Sequence, residues 1–244
     1  MPNHIQNVLL VKSSTREELD FFLNSIKGNN TCDSCEQVID FETIIPMPSI
    51  LKDTESSSRI NEAVYYYLMK TNRNDWVKKV LTYDFYKMEK FETKSEEELN
   101  EMYELGKKYF KNFEECGDIN WYEWRCNNWG TKWNAYESCM SEPTDDSVTI
   151  YFQTAWSGVP KLVEILVERF PNLLFTYKFS DEDRGYNCGE GFGENGEFNF
   201  DYYNDASDYA MELYKECWGF DDDDFYKGED GKWHYKDWDD EVEE

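Results

Sequence analysis

Histidine is nearly absent from this sequence: the 244 residues hold two, His4 and His234. Nucleophilic catalysis of the Ser/His/Asp or Cys/His kind needs an available imidazole as base. Here one histidine falls in or beside the opening strand, and the other lies between Trp233 and Tyr235. A metal site is equally short of ligands. Cys32-Asp33-Ser34-Cys35 is a C-x-x-C, but no second such pair follows, and structural zinc needs four ligands. The seven cysteines are odd in number and scattered, unlike a secreted disulfide framework. No apolar run approaches the roughly 18–20 residues of a membrane span. His4, Gln6 and Asn7 interrupt what would be a signal-peptide core, so a reduced, cytoplasmic compartment is expected. Cations are scarce too, with 25 Lys/Arg against 52 Asp/Glu and a net charge of −27. Such a surface repels nucleic acid and anionic membrane, and attracts basic partners.

What is present is aromatic. Phe, Trp and Tyr make up 18% of the chain, and a disordered chain lacks such residues. Residues 5–12 read as a buried strand. Ser14 and Thr15, each followed three residues on by a glutamate, open a helix with Leu19, Phe22, Leu23 and Ile26 on one face, ended by Gly28 with Asn29 and Asn30. Residues 37–45 read as a second strand, stopped by Pro46 and Pro48. From 55 to 115 the chain is rich in Glu, Lys, Tyr and Asn and reads as a helical insertion, with a capping box at Ser95 and Glu98. Val148, Ile150 and Phe152 alternate in a strand. A buried helix starts near Pro160, a strand follows over 173–179, and residues 197–203 pair back as a hairpin. A last helix near 205–217, capped by Asp205 or Ser207, leads into an acidic tail. Phe225, Tyr226, Trp233, Tyr235 and Trp238 in that tail predict that part of it docks. Two β-α-β halves in tandem predict an α+β fold: a ferredoxin-like split β-α-β sheet over 1–54 and 116–204, with the helical insertion 55–115 and an acidic C-terminal extension 205–244.

Three motifs invite chemistry. Gly191-Phe192-Gly193-Glu194-Asn195-Gly196 matches G-x-G-x-x-G, yet a strand follows where a helix is needed, and Glu190, Glu194 and Glu197 would repel phosphate. A hairpin loop is the expected reading. Counting an EF-hand loop from Asp221 puts Tyr226 and Lys232 where Gly and Glu belong. Glu164 and Glu168, one helical turn apart, read as a solvated helix face. No cofactor is expected, and the balance is against an enzyme.

Recognition residues are the better candidates. Residues 121–136 hold four tryptophans, and Trp129, Lys132, Trp133 and Trp156 place indoles beside polar side chains. Tryptophan of this kind is either packed in the core or a binding hot spot. Charge supplies the second set. Residues 171–244 carry 23 Asp/Glu against 6 Lys/Arg, with Asp221, Asp222, Asp223, Asp224, Asp237, Asp239 and Asp240 in the tail.

Met1-Pro2-Asn3-His4, Ile39-Asp40-Phe41 with Ile44-Ile45-Pro46-Met47-Pro48, Trp129-Gly130-Thr131-Lys132-Trp133-Asn134-Ala135 and Phe152-Gln153-Thr154-Ala155-Trp156-Ser157 together resemble the YubB-type proteins of phages and plasmids. The resemblance spans roughly residues 1–60 and 120–205. It implies a ferredoxin-like domain and a mobile-element origin, and no established activity. The expected function is a non-enzymatic interaction protein that inhibits a host defence or nucleic-acid-binding complex through an acidic, DNA-mimicking surface. Its partner would be a host protein or nucleoprotein with a basic surface, not nucleic acid itself. The alternatives are a small-ligand protein or enzyme with a pocket between sheet and insertion, or an accessory structural module.

Overall fold

A computed structural model of the chain describes residues 3–28, 31–32, 35–81, 91–229 and 231–236. The chain divides into two compact units: residues 1–45 with 129–244, and residues 46–128.

The first unit is built on β1 (His4–Lys12), whose side chains alternate between half-buried and buried. Helix α1 (Arg16–Ile26) follows, with the Thr15 hydroxyl accepting from the Glu18 N–H and Leu19, Phe22 and Ile26 buried. It leaves through an extended Lys27 instead of a left-handed glycine at 28. A two-residue bridge pairs β2 (Thr31–Cys32) with β3 (Cys35–Glu36). Cys32 and Cys35 are backbone partners across it, and their thiols lie outside the described side chains.

The strand expected over 37–45 is instead a short helix, α2 (Phe41–Ile44). Local chemistry accounts for the difference. The Asp40 carboxylate accepts from the Glu42 N–H, and Asn134 Oδ1 takes the Phe41 N–H at 2.8 Å. Phe41 and Ile44, three residues apart, then share the buried face of a helical turn.

The second unit contains α3 (Ser58–Lys70), α4 (Val77–Val80), α5 (Glu96–Cys116) and most of α6 (Trp121–Trp129). At 46–128 it extends further at both ends than the 55–115 stretch read from composition. Ser95 and Glu98 form the full reciprocal capping box, and Gly117 closes α5 in the left-handed region. Ile60, Val64, Leu68, Val77, Val80, Tyr109, Phe110 and Ile119 form its core. α3 and α5 meet backbone to backbone at Gly106, where an added Cβ would stand 2.0 Å from the Ala63 carbonyl oxygen.

The chain then returns to the sheet with β4 (Tyr136–Met140) and β5 (Ser147–Ala155), crosses α7 (Pro160–Arg169), and adds β6 (Leu174–Asp181), β7 (Cys188–Glu194) and β8 (Glu197–Tyr203). All six long strands form one antiparallel sheet in the order β4-β5-β1-β6-β7-β8. β1, β4, β5 and β6 with α1 and α7 are the ferredoxin-like core, and β7 and β8 widen it. The true second strand of that core is β4, beyond the helical unit. On one face Phe22 of α1 meets Phe175 edge-on at 5.7 Å, over a core of Leu9, Ile150, Phe152, Leu166 and Tyr177. Helix α8 (Asp208–Trp218), capped by Ser207, covers part of the other face through Ala210, Leu213 and Cys188.

The glycine run is a strand, not a loop. The turn is only Asn195-Gly196, both at positive φ as a two-residue hairpin requires. Gly189, Gly191 and Gly193 alternate on one face because a Cβ there would strike Phe200, Phe198 and Val167, each within 2.5 Å. Beyond α8 the tail forms a hairpin, β9 (Phe225–Lys227) with β10 (Trp233–Tyr235). Phe225 is buried with Met211 and Tyr214, so this part of the acidic segment does dock. No helix among the described residues is long and apolar enough to cross a membrane.

The Gly106 contact is backbone and cannot yield. Gly106→Ala is expected to destabilise the helical unit by about 1–3 kcal/mol. Gly117→Ala, at φ +87 with open space around it, should cost only the left-handed strain, about 1 kcal/mol. Thermal and urea unfolding followed by circular dichroism would separate the two.

Candidate interaction site

The antiparallel pairing of β1 with both β5 and β6 brings three strand ends together, with His4 opposite Ala155 and Ile5 opposite Asp181. This end of the sheet is polar where the rest is apolar. Asn7 takes a core-facing position between Ile5 and Leu9 and is fully buried. Its amide donates to the carbonyls of Ile5 and Phe152 and to Thr154 Oγ1 at 2.9 Å. The Tyr177 hydroxyl donates to Asn7 Oδ1 at 2.6 Å and accepts the Val159 N–H at 2.7 Å. Thr154 in turn donates to the Ser157 carbonyl. Burial pushes the Tyr177 phenol well above its usual range, so it stays a neutral donor.

This network fixes the loop after β5. Gly158 passes so close to the Phe179 ring that a Cβ would lie 2.4 Å from it. Trp156 is held at φ +69, a conformation rare for a bulky side chain. Its N–H donates to the Asn3 carbonyl and its carbonyl accepts from Asn187 Nδ2 at 2.9 Å. Asn187, also at positive φ, and Asn3 both donate to the buried Asp181 carboxylate, which takes the Asp183 N–H as well. Strain maintained by so many bonds is a mark of functional surfaces.

Two sequence-predicted residues flank a third here. Lys132 Nζ lies 3.7 Å from the Trp156 ring centroid and 4.1 Å from that of Trp133. The indoles remain 47% and 39% exposed. Thr131 bonds the Ala155 carbonyl at 2.8 Å, and Asn134 bonds Asp40 at 2.6 Å, so both flanks of the lysine are pinned. Trp133 meets Tyr136 edge-on at 6.3 Å. Tyr136 donates to the Thr154 carbonyl, so its oxygen accepts from His4 Nδ1–H. Trp129 does not join them. It is fully buried against Phe41, and its N–H donates to the Ile45 carbonyl. A large ring at the end of α6, with its one donor satisfied by backbone, is core.

The aspartate run has internal duties. Asp221 N–H is capped by the Asp224 carboxylate, and Asp222 pairs with the buried Lys215. Asp221, Asp222 and Asp223 nonetheless face solvent. Asp237, Asp239 and Asp240 lie outside the described residues. Arg184 sits between Phe225 and Tyr235, 5.7 Å from each ring. Among the described residues no three of His, Cys, Asp and Glu gather as metal ligands would. Burial raises the Cys188 thiol to about 11 and raises Cys217 further, so neither is a nucleophile at neutral pH.

Asn3, Asn7, Tyr177, Asp181 and Asn187 are not among the site residues that the sequence nominates. One signal was available: Asn7 breaks the apolar face Ile5, Leu9, Val11.

Residues 128–221 match the family model described as a ferredoxin-like domain in Api92-like protein. No curated protein matches the chain. Among solved structures, the crystal structure of a protein api92 from Yersinia pseudotuberculosis is similar at a TM-score of 0.41 and 9% identity, covering 85% of this chain and 100% of that one. That likeness speaks to neither activity nor partner.

The strain and its support should separate on mutation. Trp156→Gly removes the ring and relieves φ, and is expected to leave the melting temperature unchanged or raised. Tyr177→Phe leaves a buried N–H and a buried Oδ1 unpaired and should cost about 1–3 kcal/mol in urea unfolding.

The tail hairpin should be pH-dependent. The hydrogen bond from Lys227 holds the Asp208 carboxyl below the ordinary carboxylate range, and the Trp233 indole N–H adds to it. A lowered folded-state pKa contributes stability that is full above the unfolded value and lost as pH falls through the folded one. Trp233 should therefore become more solvated below about pH 4. Asp208→Asn should show the change already at neutral pH, read by tryptophan fluorescence.

Proposed function

We propose that the protein is a non-enzymatic binding module whose recognition surface is the Trp133–Lys132–Trp156 stack at the polar end of the sheet. The observation that carries this reading is the stack itself: two exposed indoles about one lysine, on strained backbone fixed by a saturated buried network. Rigid exposed tryptophans bind at low entropic cost. Both histidines are engaged in aromatic contacts, His4 with Tyr136 and His234 with Tyr226, which favours binding over catalysis. The net charge of −27 favours a partner with a basic face. In its finer form the proposal is an inhibitor of phage or plasmid origin. It would act in the host cytoplasm on a defence or nucleic-acid-handling complex, with the exposed tail aspartates standing in for phosphates. At one charge per ~1.7 Å of B-DNA, even the whole excess would mimic only a short duplex.

One observation favours a second reading, a small-ligand protein. A cavity of about 590 Å³ within the sheet unit is lined by Glu182, Asp183, Arg184, Asp205, Lys232 and Trp233 among others.

The test is capture from nuclease-treated host lysate by three proteins side by side. These are the wild type, Trp133→Ala with Trp156→Ala, and a variant with Asp221–Asp224, Asp237, Asp239 and Asp240 changed to Asn. One basic complex is expected with the wild type, released by salt and absent with the tryptophan variant. Neutralising the tail should weaken capture by roughly tenfold or more if charge mimicry operates. Identical capture by all three would end the proposal, and a ligand that raises the melting temperature would support the second reading.

A further inference from the structure

The two edges of the sheet differ. β4 is short, and its register shifts between Tyr136 and Cys139. Its neighbourhood is also covered, with Val38 N–H bonded to Ser138 and Gln37 bonded to the Ala135 carbonyl. These are the devices that close an edge to further pairing. β8 has neither. It runs seven residues in unbroken register with β7. The two-residue turn makes Glu194 and Glu197 a hydrogen-bonded pair, so Glu197, Asn199, Asp201 and Tyr203 point their backbone groups at β7. The N–H and C=O of Phe198, Phe200 and Tyr202 therefore point outward. Among the described residues nothing pairs with them.

The side chains on this edge divide by face. On one face Phe198, Phe200 and Tyr202 form a ladder with Phe179. Phe179 and Phe200 are stacked at 5.9 Å and 6°, and Phe198 and Phe200 at 6.1 Å. Tyr202 is 55% exposed. The glycines of β7 let these rings lie flat, which makes the ladder rigid. On the other face Glu197 and Asp201 are exposed, flanking Asn199. Within the same face Asp201 is opposite Glu190, and Glu197 opposite Glu194.

We infer that β8 is a docking edge for an extended basic segment of a partner protein, added as a seventh strand. Charge decides the occupant. A second copy paired about Asn199 would set Glu197 against Asp201, where like charges across a strand pair repel, and two chains of net charge −27 repel in any register. A strand with Lys or Arg facing Glu197 and Asp201, and apolar side chains facing Phe198, Phe200 and Tyr202, satisfies both faces while its backbone takes the free donors and acceptors. The edge is linked to the tryptophan stack through the Tyr202 hydroxyl, which donates to Asn187 Oδ1, and Asn187 in turn holds the Trp156 carbonyl; peptide binding and lysate capture read the two surfaces separately.

The test uses the full chain and end-blocked peptides of the strand's own length. One alternates lysine with valine, one holds the same residues in two blocks, and one alternates glutamate with valine. The lysine–valine peptide is expected to bind in a salt-sensitive manner and to slow hydrogen exchange at the Phe198, Phe200 and Tyr202 amides. Proline is tolerated at an edge position whose N–H faces outward, and Tyr202→Pro should weaken binding by about tenfold through lost ladder bonds. Glu197→Lys with Asp201→Lys should switch preference to the glutamate–valine peptide. Equal binding of the block peptide with no protected amides would reduce the effect to bulk charge and overturn the inference. So would Tyr202→Pro binding as the wild type does, or sedimentation showing the wild type pairing with itself through these amides.

Discussion

A single asparagine organises the sheet end on which recognition is proposed to rest. Asn7 stands in the central strand at a position that packing reserves for an apolar side chain. A buried amide is tolerable only when its donors and acceptor are all met. Meeting them commits Tyr177, Thr154 and two backbone carbonyls, and through Tyr177 and Thr154 the loop from 156 to 159. The loop then has one conformation, and Trp156 is held where free choice would not put it. Stability at the centre of the sheet and order at its surface are thus the same set of bonds.

Charge has a similar double use. Lys215 is buried on α8 between Glu212 and the exposed Asp222. Burial alone would lower its pKa, and these two carboxylates more than offset that. One carboxylate of the acidic tail is therefore matched by an internal cation while still facing solvent, holding α8 to the turn that begins β9. The formal charge left over to draw a basic partner is correspondingly smaller.

Much of the fold was legible because its signals are local. Thr15, Ser95 and Ser207 announce their helices by hydroxyls that cap them, and Val148, Ile150 and Phe152 alternate as a half-buried strand must. The segment 37–45 misled because its apolar density resembles a strand, while the deciding partner of Phe41, Asn134, lies 93 residues away. The glycines of β7 misled for the same reason: the side chains that require them, Phe198 and Phe200 of the next strand and Val167 of α7, lie elsewhere in the chain. At the site, Lys132, Trp133 and Trp156 stood out by composition. Their supporting asparagines did not, because an isolated Asn looks like a loop residue until the sheet places it. Trp129 shows the limit from the other side, since a buried and an exposed indole read alike in sequence.

The position of β1 carries one more consequence, for the order in which the molecule assembles. This strand is made well before its partners β5 and β6, which end at Ala155 and Asp181. At synthesis rates of roughly 5–20 residues per second, the central strand waits on the order of ten seconds or more for its neighbours. The helical unit, contiguous in sequence and built from nearby contacts, closes in that interval. The central strand is thus made before either of its neighbours, and through that interval Asn7 keeps its amide in water.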